Sequence, residues 1–217
     1  MSVRSTLALG ALALATLALV TLVSPAQAQL SGGSVKGLLG NASDAALDKL
    51  SQPGAFSADS AIRIALPGQA EKLSGLLKLT DKAGLTNDIN GSLNHAAEQA
   101  ASEAKPIFRS AIDKASMSDA VGIAKGGNTG ATEYLKKTAG SAITARLLPL
   151  VKAALDQSGV LKQTSQLSAF GMDEAKITKY VTDKTSDGIF TYVGREETKL
   201  RADPINSGKE ILKGLKF

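Results

Sequence analysis

Residues 173–204 read DEAKITKYVTDKTSDGIFTYVGREETKLRADP, and this stretch decides the fold. Ile177, Val181, Ile189, Val193 and Leu200 recur at helical spacing, with Tyr180, Gly188 and Tyr192 beside them. That pattern makes one apolar stripe along a helix of many turns. Lys184, Asp187, Arg195, Glu197 and Lys199 fall largely off the stripe and are expected on a solvated face. Asp173 is placed to cap the first amides, and Met172 to staple onto Ile177. Pro204 marks the end. Propensity alone does not hold so long a helix, so it needs partners along its apolar side.

Those partners must come from the rest of a chain of 217 residues, enough for one domain with a sizeable core. Trp is absent and only three Tyr and five Phe are present, so Leu, Ile, Val and Ala must build that core. Small side chains favour helices packed closely together. Without Cys, disulfides and thiolate metal sites are excluded. The net charge is +5, and Arg4 is the only charge in residues 1–28, which leaves +4 for the remainder. So mild an excess lacks the clustered basic stripe that nucleic-acid binding requires.

Upstream, residues 1–28 have the form of an export signal. Arg4 gives the positive start, an apolar run extends from Leu7 to Val23, and Ser24-Pro25 breaks it. Ala26-Gln27-Ala28 fits the small-x-small cleavage rule, which places the cut after Ala28. A periplasmic or secreted location is expected. Residues 29–33 read as a flexible segment and residues 34–217 as a single helical domain. Val35–Leu50 is a helix closed by Gln52-Pro53-Gly54. Phe56–Leu66 differs: Ile62, Ile64 and Leu66 alternate with Arg63 and Ala65, as in a short extended segment. One strand is not stable alone, so it lies as a strap across helices or pairs with something further along.

Pro67 opens a helix to about Ala83. Thr86 caps another to Ala115, in which Pro106 should kink or break the pattern. Its middle, AAEQAASEA, lets a neighbour approach closely. Ser116–Asp119 has capping-box form before a short helix, Asp119–Lys125, closed by Gly126-Gly127. Asn128 or Thr129 caps a long helix to Gln157, bent at Pro149 and ended by Gly159. Val160–Phe170 is a short helix or irregular connection, and Ser207–Phe217 a basic amphipathic tail. The fold class is therefore all-α: a single-domain multi-helix bundle with long kinked helices and one short extended segment.

Several stretches carry a resemblance. They are Ala61–Pro67 (AIRIALP), Leu93–Glu98 (LNHAAE), Glu103–Phe108 (EAKPIF), and Gly126-Gly127-Asn128 ahead of Ala131-Thr132-Glu133-Tyr134. Tyr180–Lys184 ahead of Asp187–Phe190, Arg201-Ala202-Asp203-Pro204 and Leu212-Lys213-Gly214 complete the set. Together they resemble a bacterial family known only as domain of unknown function 4197. Leu93 and His95 depart from its pattern, which has Met and Arg there, and Gly171 follows Phe170 where the family often has a longer loop. The resemblance implies a helical, exported bacterial protein and no activity.

Candidate sites are few. Gly126–Gly130 at a helix start could hold a phosphate or carboxylate on free amides, but the Lys-Ser/Thr of a P-loop is absent and an interhelical turn is favoured. His95 is the only histidine, so a triad would have to use it and a zinc site would have just one nitrogen ligand; its neighbours suggest neither, and a polar helix residue is the simpler expectation. Glu196-Glu197 and Asp183-Lys184 could chelate a cation or pair across a surface, and solvated charges are the simpler expectation. Asn94, Glu98 and Lys105 follow one another along one helix, and Thr132, Asp187 and Arg201 could face them. Such a polar cluster would either fix helix register or form a pocket. No cofactor is implied. The expected role is a non-catalytic envelope protein that binds a protein or small-molecule partner. The alternatives are an envelope hydrolase using carboxylates such as Glu98 and Asp187, or a weak binder of anionic membrane surfaces through the tail.

Overall fold

The computed structural model describes residues 32–65, 85–116, 118, 120–161 and 173–203. In chain order the helices are α1 (Gly32–Leu50), α2 (Ala55–Ala58), α3 (Leu85–Glu103) and α4 (Lys105–Lys114). Then come α5 (Ala120–Lys125), α6 (Gly130–Ser158) and α7 (Glu174–Ala202). No strand occurs among the described residues. The fold is all-α. The expected helix from Pro67 to Ala83, the Met172 staple, the 1–28 leader and the tail from Ser207 lie outside the described residues.

α7 is the element the others surround, packing chiefly on α1 and α6. Asp173 caps it, accepting the Lys176 amide at 2.8 Å, as its position before the apolar stripe predicts. Ile177, Val181, Ile189, Phe190 and Val193 are buried against Leu39, Leu47, Leu135 and Leu147 in one continuous core. Phe108 and Phe190 meet in it with centroids 5.4 Å apart and rings tilted by 55°. Gly188 lets the strap approach: a Cβ there would lie 2.8 Å from Cε1 of Phe56.

Two expectations hold in part. The predicted helix from Thr86 to Ala115 is two helices, and the break is at Ala104, two residues before Pro106. A proline ring interferes with the turn that precedes it. The chain therefore ends α3 at Glu103 and restarts, so that Pro106 falls in the first turn of α4, where its missing N–H has no intrahelical acceptor to lose. The segment from Phe56 to Leu66 is extended only in its later part. Ala55–Ala58 forms one helical turn that sinks Phe56 into the core, and a turn at Asp59 follows. The alternation does hold further on, with Ile62 and Ile64 buried and Arg63 and Ala65 exposed.

α6 runs unbroken through Pro149. Ala145, whose carbonyl loses its partner there, is exposed, so water can replace the missing N–H. At its start α6 meets α5 so closely that a Cβ on Gly130 would sit 2.4 Å from the Ile123 carbonyl oxygen. The expected Gly126-Gly127 stop of α5 and Gly159 stop of α6 match the observed ends.

Candidate functional site

The six polar residues singled out from the sequence separate into distinct places. Asn94 and Glu98 are buried one turn apart on α3, under the strap. The Asn94 side chain treats Ile64 as a neighbouring strand would. Its Oδ1 accepts the Ile64 N–H at 2.9 Å, and its Nδ2 donates to the Ile64 carbonyl at 2.7 Å and to the Asn90 carbonyl at 2.7 Å. Glu98 Oε1 accepts the Phe56 N–H at 3.1 Å, while its Oε2 stands 3.6 Å from His95 Nδ1. These two side chains supply the pairing partner that the extended segment lacks in sequence.

The far side of the strap is fastened by α7. Tyr180 donates its hydroxyl to the Ala65 carbonyl at 2.8 Å. Asp59 accepts from Arg195, from the Tyr192 hydroxyl at 3.0 Å and from the Ala61 amide at 2.9 Å. The Arg195 hydrogen bond is the main reason that the Asp59 carboxyl is held down at about 2, with the Ala61 N–H adding to it. Burial first, and then the Asp59 hydrogen bond, push the Tyr192 phenol up. Arg195 also lies over the Tyr192 ring, 4.7 Å from its centroid.

Thr132 and Arg201 do come together, on a residue expected to be solvated. Glu197 is 0% exposed. It reaches from α7 to the first turn of α6, where its carboxylate accepts the Ala131 N–H at 3.0 Å, the Thr132 N–H at 2.7 Å and the Thr132 hydroxyl at 2.6 Å. Arg201, one turn along α7, donates Nε at 2.8 Å. A helix start exposes orphan amides and a partial positive charge. Thr129, the residue before α6, bonds none of those amides with its side chain. Glu197 therefore caps α6 from another helix, and the amides that follow the Gly126–Gly130 turn, those of Ala131 and Thr132, are taken by the protein's own carboxylate. A signal existed: Glu197 lies four residues after Val193 and seven after Phe190, on the buried side of α7.

Glu196 ties α1 to α7, accepting Lys49 at 2.7 Å and Lys199 at 2.8 Å. Burial works against its ionisation, but the hydrogen bonds from Lys199 and Lys49 outweigh that and hold its carboxyl below the usual range. Lys105 and Asp187 stay outside both buried groups. Lys105 pairs with Asp48 at 2.5 Å, and Asp187 with Lys136 at 2.8 Å, all four well exposed to solvent. Glu98 and Asp187 share no partner, since one serves the strap and the other the surface. Asp183 pairs with Lys179, and Lys184 lies over the Tyr180 ring. Among the described residues no group of three or more His, Asp or Glu is placed to hold a metal ion. No described helix is long and apolar enough to cross a membrane.

A groove of about 700 Å³ runs between α6 and α7. Lys136, Thr144, Leu148, Lys179, Asp187 and Phe190 are among its walls. Thr144 and Ser186 hydrogen-bond across its floor at 2.8 Å. At its edge Leu148 is 41% exposed, the one large hydrophobic side chain so exposed among the described residues.

Comparison with curated proteins and with solved structures gave no match. The family described as "Protein of unknown function (DUF4197)" matches over residues 25–215, nearly the whole chain, and the chain belongs to that family.

Proposed function

We propose that the chain is exported through residues 1–28, cut after Ala28, and acts in the periplasm or outside the cell as a non-catalytic binding protein. The α6–α7 groove carries this reading. Its walls mix an aromatic ring, an exposed Leu148 and two Lys–Asp pairs, as a recognition surface does. Of the two acids named for a hydrolase, Glu98 is engaged away from the groove, and Asp187, which lines it, is paired with Lys136. Glu98 and Glu197 accept backbone N–H groups, and Glu196 joins two helices. Carboxylates so engaged hold backbone segments and helices in place.

A photoreactive side chain placed at Leu148 in living cells tests the binding role. It should trap a discrete partner, while the same group at Arg63, exposed on the strap, should not. Equal labelling from both positions would overturn the proposal. Export is tested separately by N-terminal sequencing of the protein recovered from outside the cytoplasm, which should begin at Gln29. A start at Met1 would reject cleavage.

A further inference from the structure

A second groove, about 540 Å³, lies between α4 and α6 on another side of α6. Its bed is apolar, made by Ala111, Ala115, Ala139, Ala142 and Ile143. Its charged lining is of one sign, Lys114 and Arg146, with no carboxylate among the lining residues. That sets it apart from the α6–α7 groove, where Asp187 answers Lys136 and Asp183 answers Lys179. Arg146 is steadied by Ser110, whose hydroxyl accepts Nη1 at 3.3 Å. Lys114 follows Ser110 by one helical turn and makes no hydrogen bond or ion pair among the described residues. At the other end the Tyr134 hydroxyl donates to the Ser116 carbonyl and closes the groove.

We propose that this groove binds a free amphiphilic monoanion, an alkyl chain ended by a carboxylate. The head group sits at the Arg146–Ser110 end, where guanidinium and hydroxyl donors meet, with the Lys114 ammonium on the same wall one helical turn along. The chain lies along the alanines toward Tyr134. Two features select this class. An apolar bed walled by two helices takes a single hydrocarbon chain, whereas a bilayer surface would need a broad face. Two cations beside that bed, with no carboxylate among the described lining residues, favour an anion over a neutral or cationic head. The site is separate from the α6–α7 groove and stands or falls without it.

The test is titration calorimetry of the purified protein with dodecanoate, kept below its micelle-forming concentration. Dodecyltrimethylammonium, the same chain with the opposite charge, is the comparison. Saturable binding of one dodecanoate per chain is expected, with the cationic amphiphile weaker by about tenfold or more. Lys114→Gln with Arg146→Gln should weaken dodecanoate by a similar factor while leaving the helical circular dichroism unchanged. Ala142→Phe, which puts a bulky ring on the exposed part of the bed, should abolish binding. The proposal is overturned if both amphiphiles bind alike, if the Gln variant binds as the parent does, or if no saturable binding occurs. Association with anionic phospholipid vesicles but not with free dodecanoate would also overturn it.

Discussion

Replacing Asn94 with Leu should loosen the strap, and the size of the effect follows from three hydrogen bonds. Leu keeps the branched outline of Asn but bonds neither the Ile64 N–H, the Ile64 carbonyl nor the Asn90 carbonyl. The Asn90 carbonyl retains its place in the helix, so its loss is small. The Ile64 pair is different, because Ile64 is fully buried. A lost bond removes about 1 kcal/mol and a buried N–H left without an acceptor costs about 1–3 kcal/mol, so the sum is about 2–4 kcal/mol. Against a total stability of about 5–15 kcal/mol that is easily seen in urea denaturation followed by circular dichroism. Hydrogen exchange at the Ile64 amide should accelerate in step. Asn94→Asp sharpens the test. It keeps an acceptor for the Ile64 N–H but turns an oxygen toward two carbonyls. Burial and those carbonyls favour the neutral acid, so the new carboxyl's folded pKa is raised. Its tolerable form therefore exists at low pH and is lost as pH rises through that raised value. At about pH 7 the Asp variant should be less stable than the Leu variant, and the gap should close toward about pH 4. A Leu variant as stable as the parent, or an Asp variant milder than Leu at neutral pH, would refute the pairing role of Asn94.

Glu197→Gln must turn its NH₂ toward a backbone N–H in either orientation, because Ala131 and Thr132 each donate to one oxygen. A loss of about 2–4 kcal/mol in urea titration is expected, and an unchanged midpoint would contradict the capping of α6. At Gly188 a Cβ would stand 2.8 Å from Phe56 Cε1 and 3.4 Å from Ile62 Cβ. Gly188→Ala sets a helix-propensity gain of about 1 kcal/mol against overpacking of about 1–3 kcal/mol, while Gly188→Val adds bulk without the full gain. Thermal melts should rank parent above Ala above Val, and a Val variant as stable as the parent would show that the strap does not need the close approach. Asp59 should titrate near 2 by NMR because Arg195 holds its carboxyl down from 3.8. Since the folded value is the lowered one, its grip on the strap is present above about pH 4 and is lost as pH falls toward 2, and a midpoint near 3.8 would remove the Arg195 anchor from the account.

The spacing of apolar residues located α7 to within two residues at each end, because a long stripe averages over many turns. The capping role of Asp173 was equally legible, since it depends only on the next three residues. What escaped was pairing between distant segments. Nothing near Ile64 announces Asn94, and nothing near Thr132 announces Glu197. The α3–α4 break was foreseen at Pro106 but not its position at Ala104, because a proline tells where a helix fails without telling which preceding residue ends it. Of the six residues grouped in advance, the type of side chain was informative and its partner was not. Asn94, Glu98, Thr132 and Arg201 serve buried contacts, and Lys105 and Asp187 form surface pairs of the kind that contribute little.

α6 and α7 depart at a few positions from the usual relation between polarity and burial, and those departures locate the surface left for other molecules. α7 buries Thr178, Thr182, Thr185, Ser186 and Glu197. The Thr182 and Thr185 hydroxyls return to carbonyls of their own helix, and Glu197 finds the start of α6, so the polarity of those three is met inside the protein, while the buried Thr178 hydroxyl has no hydrogen-bond partner among the described residues. Small side chains of this kind also let α1 and α6 come close, which long apolar ones would prevent. α6 does the opposite. Ala142, Ala145, Leu148 and Pro149 lie on its exposed side although its inner side already holds the core residues Leu135, Ile143 and Leu147. Ser141, Arg146 and Lys152 share that outer side, so these apolar positions are local packing capacity that the described residues do not fill. Both grooves open beside that outer side of α6, one with its charges matched and one with no carboxylate among its described lining residues. The fold thus settles most of the buried polar groups of α7 within itself and turns exposed apolar and cationic positions outward through α6.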